Sequence, residues 1–297
     1  MVSDWFVQLY GWLFQPFVDY GFMRRALVAC LAIALACGPI GTILVLRRMS
    51  LAGDAIAHAV LPGAAVGFIF FGLSLPAMTI GSFAAAALMA LIAAAVTQWT
   101  AQKEDASFAS FYLITLALGV MLIATAGSKV DLLNFLFGSV LAIDDESLLL
   151  ISGASSLTLL GLAIIWRPLI IECFDPIFLR SVGGRGGLIH QFFMLLVVLT
   201  LVSAFQALGT LMAVGLLMLP ATAARFWCAG VVVRALLASA IGAFSGACGL
   251  LISYHVNVPS GPAIVLFAGF LYLLSLCLGA RDSLRLIWFP AHQHKEA

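Results

Sequence analysis

The residues ALVACLAIALACGPIGTILVL, at positions 26–46, contain no charged side chain, and Arg47 and Arg48 follow them directly. A bilayer hydrocarbon core about 30 Å thick takes about 20 apolar residues per helix. This stretch is therefore predicted to be a membrane-spanning helix. Comparable apolar stretches continue along the chain, and each is predicted to span the membrane: 54–72, 75–98, 108–127, 147–166, 189–206, 208–227, 231–254 and 261–280.

The composition agrees with a membrane protein and excludes a water-soluble one. Hydrophobic residues make up 64% of the 297 residues and charged residues only 9%, against about 25% charged in ordinary globular proteins. Segment 132–143 is apolar but too short to span, which favours a re-entrant or interfacial piece. The balance of 14 basic against 13 acidic residues gives no support for nucleic-acid binding. We predict an all-α polytopic membrane protein with about eight or nine spans, forming a single transmembrane domain over 1–297.

The positions of the basic residues predict which way the bundle faces. Most lie at span ends on one side, which is predicted to be cytoplasmic: Arg47, Arg48, Lys103, Arg167, Arg180, Arg185, Arg225, Arg234, Arg281 and Arg285. Arg24 and Arg25 are the exceptions, because they precede the first span on the opposite side. Residues 1–22 are rich in aromatic side chains and are predicted to lie in the membrane interface. Residues 281–297 are predicted to be a cytoplasmic tail.

The longest hydrophilic connection, 167–187, has the pattern of a short capped helix. Asp175 is suited to the N-cap, Pro176 to the first helical position, and Gly183 to the position after the C-cap. The residues between them combine an apolar face with one cation: Ile177, Phe178, Leu179, Arg180 and Val182. Such a helix either lies on the membrane surface or docks on a soluble partner.

The polar chemistry is concentrated in RRMSLAGDAIAHAVLPGAAVG, residues 47–67. Asp54 and His58 are four residues apart, so on a helix they share one face at about 6 Å. An acid and a histidine within a span are costly and normally face a cavity or a partner. One carboxylate oxygen and one imidazole nitrogen suit a divalent transition metal. The alternative is an acid that caps the helix and a buried, hydrogen-bonded histidine.

Two ligands are too few for a metal site, and two copies of the chain around a two-fold axis would supply four. Gly63 and Gly67 form a GxxxG pattern in the same segment, and such a pattern permits close helix packing. The packing is either between two copies or within one chain. His255, at the outer end of 231–254, either meets a passing metal or is an ordinary interfacial residue. His190 opens 189–206 and is expected at the interface.

Residues 47–67 resemble the signature of the ABC-3 family, the permease subunits of bacterial zinc, manganese and sometimes iron ABC importers. The matching positions are Arg48, Met49, Ser50, Gly53, Asp54, Ala57, His58, Pro62 and Gly63. The resemblance continues from about Met23 to Leu278 in the family's order, through Glu104-Asp105, 116–119, 137–139, 174–183, 206–209, 219–221 and 261–263. Ser139 departs from the family pattern, which usually has Asn there.

The resemblance implies a type II ABC importer permease in the bacterial cytoplasmic (inner) membrane. It implies a second permease copy, a cytoplasmic ABC ATPase dimer and an extracytoplasmic metal-binding protein as partners. It places Asp54 and His58 on the metal path. It places the contact with the ATPase on the 174–183 segment, including Phe174, Asp175, Pro176, Leu179, Arg180 and Gly183.

The chain itself is not expected to be an enzyme. It contains no GxxxxGK[ST] motif, so ATP would be hydrolysed by the partner subunit. No permanently bound cofactor is expected, and the transported ion is expected to be zinc first and manganese next. One alternative is a permease for metal chelates, siderophores or vitamin B12, although a large ligand does not call for an acid–histidine pair. The other is a secondary metal transporter, which would need coupling-ion sites in broken helices.

Overall fold

A computed structural model describes residues 10–72, 74–100, 102–125 and 143–285. Within these ranges the regular structure is entirely α-helical. We number the helices in chain order: α1 (Gln15–Asp19), α2 (Gly21–Leu46), α3 (Ala52–Phe71), α4 (Leu75–Trp99), α5 (Glu104–Thr125), α6 (Asp145–Phe174), α7 (Pro176–Ser181), α8 (Gly186–Leu208), α9 (Thr210–Arg225), α10 (Val231–Val256) and α11 (Ser260–Leu278).

Eight of these helices are long and apolar enough to cross a membrane: α2, α3, α4, α5, α6, α8, α10 and α11. Helix α9 is also apolar but has only 16 residues, so it is a shortened form of the span predicted at 208–227. The prediction of a polytopic helical membrane protein is thus confirmed. The predicted re-entrant piece at 132–143 lies, apart from Ile143, outside the described residues.

Helix α6 is longer than the sequence pattern predicted. It continues from 166 through Pro168 to Phe174, because the apolar run does not stop at Arg167 and Leu169 is completely buried. The polar connection therefore begins at Asp175 rather than at 167. At its other end α6 begins with Asp144 as N-cap, which accepts a hydrogen bond from Ser147 N at 2.9 Å. Hydrogen bonding from Ser147 holds the pKa of the Asp144 carboxyl below its ordinary value.

The two arginines that oppose the predicted orientation each have a local partner. Helix α2 begins at Gly21 rather than at 26, so both lie in its first turns. Arg25 Nη1 is 3.1 Å from Asp145 Oδ1 at the start of α6. Arg24 Nη1 donates to the carbonyl of Val18 at 3.2 Å. These contacts give the basic side chains partners at the end of the bundle opposite Arg47, which we call the outer end; the Arg47 end is the basic end.

Helix α2 lies inside the bundle, packed against α10, α9 and α6, while α3 packs against α4 and α5. In a membrane the hydrophobic effect does not drive helices together, because lipid is as apolar as their side chains. Close helix packing therefore relies on small residues. Gly38 of α2 lies against Ser239 of α10, and Gly41 lies against the Leu217 carbonyl of α9, with no space for a side chain at either glycine. Helix α5 is the least buried of the eight spans.

Candidate metal site and partner surfaces

Asp54 and His58 occupy the first two turns of α3, near the basic end of the bundle. As the spacing predicts, they share one face: Asp54 Oδ1 lies 3.6 Å from His58 Nε2. That separation is slightly too long for a direct hydrogen bond. The Asp54 side chain is 51% exposed and that of His58 is 23% exposed. The pair is therefore open to a ligand from one side.

The alternative of a capping acid and a satisfied buried histidine does not fit this geometry. The N-cap of α3 is Leu51, whose own side chain makes no capping hydrogen bond, so Asp54 is not the capping residue. His58 Nδ1 is buried and has no hydrogen-bond partner among the described residues. The ring packs instead against Tyr112 from α5, with ring centroids 5.0 Å apart and planes at 71°. Its nitrogens are thus not committed to the chain's own hydrogen bonds.

One chain does not complete a metal site at this pair. In the parts of the chain that the structure describes, no group of three or more His, Cys, Asp or Glu side chains is arranged to hold a metal ion. Asp54 and His58 supply one oxygen and one nitrogen, and a divalent transition metal needs at least four donors. The missing donors have to come from water, from another chain or from both.

Gly63 and Gly67 are used for packing within the chain. A side chain at Gly63 would run into Gly81 and Ala85 of α4, and one at Gly67 would lie 2.8 Å from the carbonyl oxygen of Ala77. The close approach that this GxxxG pattern permits is therefore between α3 and α4. Of the two alternatives that the sequence left open, the single chain shows packing within one chain.

His255 has contacts that the sequence did not predict. Its ring stacks on Trp12, with centroids 4.4 Å apart and planes 5° from parallel. Its Nε2 donates to the Trp12 carbonyl oxygen at 3.0 Å. His255 therefore connects Trp12 to the outer end of α10. A role on the metal path stays a prediction.

The short helix at the basic end is capped as the sequence predicts. Asp175 accepts a hydrogen bond from Phe178 N at 2.8 Å, Pro176 is the first residue of α7, and Gly183 has a φ of +77° just after the helix. Leu179 faces the bundle and is only 6% exposed. The expectation that Leu179 contacts a soluble partner is corrected on this point. The outward apolar side chains are Phe174, Ile177, Phe178 and Val182.

A buried polar cluster at the basic end was not predicted. Four residues, from the C-cap of α2 and from three other helices, line a cavity of about 560 Å³: Arg47, Glu104, Glu172 and His190. His190, which we expected at the interface, is 2% exposed. The sequence signal was weak, because each residue on its own is an ordinary polar residue at a span end.

The fold and the site together define a multi-pass membrane protein that carries an acid–histidine pair in one span and a capped helix at its basic end. The ABC 3 transport family matches residues 19–279, and the chain belongs to that family.

Similar proteins match this chain over nearly its whole length. The chain is 34% identical over 274 residues to the manganese import system permease protein ScaB of Streptococcus parasanguinis, covering 91% of this chain and 96% of that one. It is 33% identical to the manganese transport system membrane protein MntC of Listeria innocua, covering 91% and 95%. Among solved structures, PsaBC from Streptococcus pneumoniae in complex with Fab matches with a TM-score of 0.79 at 32% identity, covering 97% and 100%. The chain is thus a multi-pass bacterial membrane protein of permease type.

Proposed function

We propose that this chain is the permease subunit of an ATP-driven importer for manganese, and that the ion passes the Asp54–His58 pair. The observation that carries the proposal is the partly open pair on the first turns of α3, with a 3.6 Å separation and a His58 Nδ1 that has no hydrogen-bond partner among the described residues. Charged and titratable side chains within a span mark ion pathways more often than packing.

Manganese is the favoured cargo. Relatives at 33 to 34% identity are named as manganese permeases. Carboxylate oxygen suits manganese well, and imidazole nitrogen adds a ligand that other divalent transition metals share. Zinc, the first expectation from the sequence, has no specific support from these relatives. The acid–histidine pair favours a bare ion over a metal chelate, since a chelate already occupies the ion's coordination sites.

A second copy of the chain is proposed to complete the site. Asp54 is half exposed in the single chain, and its neighbour α5 is the least buried span. A carboxylate within a span normally faces a cavity or a partner, and this exposed face is open to a second chain. A two-fold partner would bring a second Asp54 and a second His58, which gives four donors around the axis. The carboxylates would replace water around the ion and hold its charge, while the imidazoles would fix its position.

The remaining partners follow from the two ends of the bundle. The outward apolar face of α7, with Ile177 and Phe178 exposed by 78% and 53%, is proposed to dock on a cytoplasmic ABC ATPase. An exposed apolar patch of this kind marks a protein or membrane interface. Arg180 would place a positive charge beside this apolar face, and Gly183 would form the turn that ends the helix. An extracytoplasmic metal-binding protein is proposed to deliver manganese to the outer end. ATP hydrolysis belongs to the ATPase partner.

The test is metal uptake in a bacterial strain that lacks its own manganese importer. The chain is expressed together with its ATPase and binding protein, and uptake of radioactive manganese and zinc is measured with and without the chain. We expect the chain to raise manganese uptake well above zinc uptake. Equal uptake of zinc and manganese would reject manganese as the preferred cargo. No uptake of either ion would reject the transport function.

A further inference from the structure

Four side chains at the basic end, Arg47, Glu104, Glu172 and His190, form what we call the Arg47 cluster. Arg47 Nη1 lies 2.6 Å from His190 Nδ1. Arg47 Nη2 lies 3.4 Å from Glu172 Oε1 and 3.7 Å from Glu104 Oε1. The side chains of Arg47, Glu172 and His190 are 11%, 9% and 2% exposed. Buried charges in such a network are costly, so the arrangement calls for an explanation beyond stability.

The hydrogen bonding of the cluster is incomplete. A guanidinium group only donates, so His190 Nδ1 accepts from Arg47 and the ring proton is on Nε2. That Nε2–H faces Glu104 Oε1 at 3.8 Å, which is beyond hydrogen-bond distance. Glu172 Oε2 is also buried without a partner among the described residues. A small shift of α5 towards α8 would pair His190 with Glu104, so a second arrangement of the cluster is within reach.

One side of the cluster contacts the connection to α7. Gly186 marks the contact, because a side chain there would lie 3.5 Å from both Glu172 Cγ and Leu179 Cδ2. Pro176 and Arg180 of α7 line the same cavity as the four cluster residues. A displacement of α7 would therefore move the groups packed against Glu172.

The other side of the cluster contacts the start of α3. Glu104 is followed by Asp105, whose Oδ1 accepts a hydrogen bond from Leu51 N at 3.2 Å. Leu51 is the N-cap of α3 and lies three residues before Asp54. Arg47 is itself the C-cap of α2 and leads into the short turn to α3, where Arg48 has a φ of +59°. A non-glycine residue in this region persists only where the surroundings hold it in place.

We propose that the Arg47 cluster positions α3 relative to α7, so that a movement of α7 reaches the helix that carries Asp54 and His58. This inference rests on the proposed function, because it assumes an ATPase on α7 and a cargo ion at Asp54. The four residues are positioning residues, since none of them contacts the ion's proposed site. Such coupling requires two states of the cluster. One is the observed arrangement, and in the proposed second one His190 pairs with Glu104.

The test compares manganese uptake with ATP hydrolysis by the complete complex in proteoliposomes. Glu104→Gln keeps the shape of the side chain and removes its charge. Loss of coupling lets ATP hydrolysis continue without ion movement, so we expect the ATP consumed per manganese ion to rise about tenfold, the factor that about 1.4 kcal/mol of lost coupling would produce. Asp145→Asn is the control, because it removes the charge of a carboxylate that is also paired with an arginine, Arg25, but lies at the outer end, away from the cluster. Its ratio should equal that of the wild type.

An unchanged ratio in Glu104→Gln would overturn the proposal, even where both rates fall in parallel, because a parallel fall indicates a merely structural role. If that variant does not assemble, Asp105→Ala serves instead: it removes the acceptor for Leu51 N and should raise the same ratio. An unchanged ratio there overturns the proposal equally. A wild-type complex that transports no manganese would reject the proposed function. A wild type that transports while the variants keep its ratio would reject only the linkage.

Discussion

Asp54 and His58 share a helix face but differ in what surrounds them. Asp54 is half exposed in the first turn of α3, where the helix dipole favours a negative charge. His58 lies one turn deeper and packs against Tyr112. The carboxylate is thus placed to attract an ion, and the imidazole is placed to hold it. Removing either group should affect transport without disturbing the packing of α3.

At this scale we expect Asp54→Asn and His58→Ala each to lower manganese uptake by tenfold or more, the factor that about 1.4 kcal/mol of lost interaction produces. Asn keeps the size of Asp but not its charge. The measurement is uptake of radioactive manganese by cells that contain equal amounts of each variant in the membrane. Copurification of the ATPase at wild-type levels is the control for assembly. Normal uptake by either variant would remove that residue from the ion's path.

Helices α3 and α4 meet through glycines that leave no space for a side chain. Gly67→Ala would place a methyl group about 2.8 Å from the Ala77 carbonyl. We expect the free energy of unfolding to fall by about 1–3 kcal/mol, the usual cost of overpacking. Gly153→Ala is the matched control, since nothing lies within 4 Å of that position in α6. Thermal unfolding in detergent measures both variants. Equal melting temperatures for the two would contradict the close packing of α3 on α4.

Helix α7 has apolar side chains on two faces, one exposed and one packed against the bundle. Ile177 is 78% exposed and Leu179 is 6% exposed, only two residues away. Ile177→Asp should release the ATPase in detergent while the permease stays monodisperse, because it places a charge in an apolar contact between subunits. Leu179→Asp should instead destabilise the permease itself, since it buries that charge within the chain.

Copurification of the ATPase and the melting temperature of the permease distinguish these two effects. If Ile177→Asp retained the ATPase and its stimulated hydrolysis, α7 would not be the docking element. A wild-type melting temperature for Leu179→Asp would show that Leu179 is not packed as described.

At the scale of the whole molecule, the proposed site needs two chains. The mass of the purified complex should therefore correspond to two copies of this chain with the ATPase bound. We expect this result when the chain is expressed with the ATPase and no other permease. A complex that forms only when a different permease is added would show that a second type of chain supplies the missing donors. A lone permease chain in an active complex would contradict a site shared across a two-fold axis.

The sequence predicted the features that depend on neighbouring residues. Apolar run lengths predicted the spans, the i,i+4 spacing placed Asp54 beside His58, and Asp175, Pro176 and Gly183 predicted the capped helix. It did not predict which helices would meet. The partner of Gly63 and Gly67 depends on tertiary packing, as does the contact of Leu179 with the bundle. Glu104, Glu172 and His190 lie far apart in the chain, so no local pattern links them to Arg47.

The most direct test of the account is to locate manganese in the complete complex. Anomalous X-ray scattering at the manganese absorption edge, from crystals of the permease–ATPase complex grown with the ion, identifies the metal by element. We predict a manganese peak about 2 Å from Asp54 and His58 donors of two chains, the distance of first-row metal–ligand bonds. A peak elsewhere, or His58 side chains of the two chains more than about 15 Å apart in every state, would contradict the shared site, because ligands of one ion lie only about 2 Å from it.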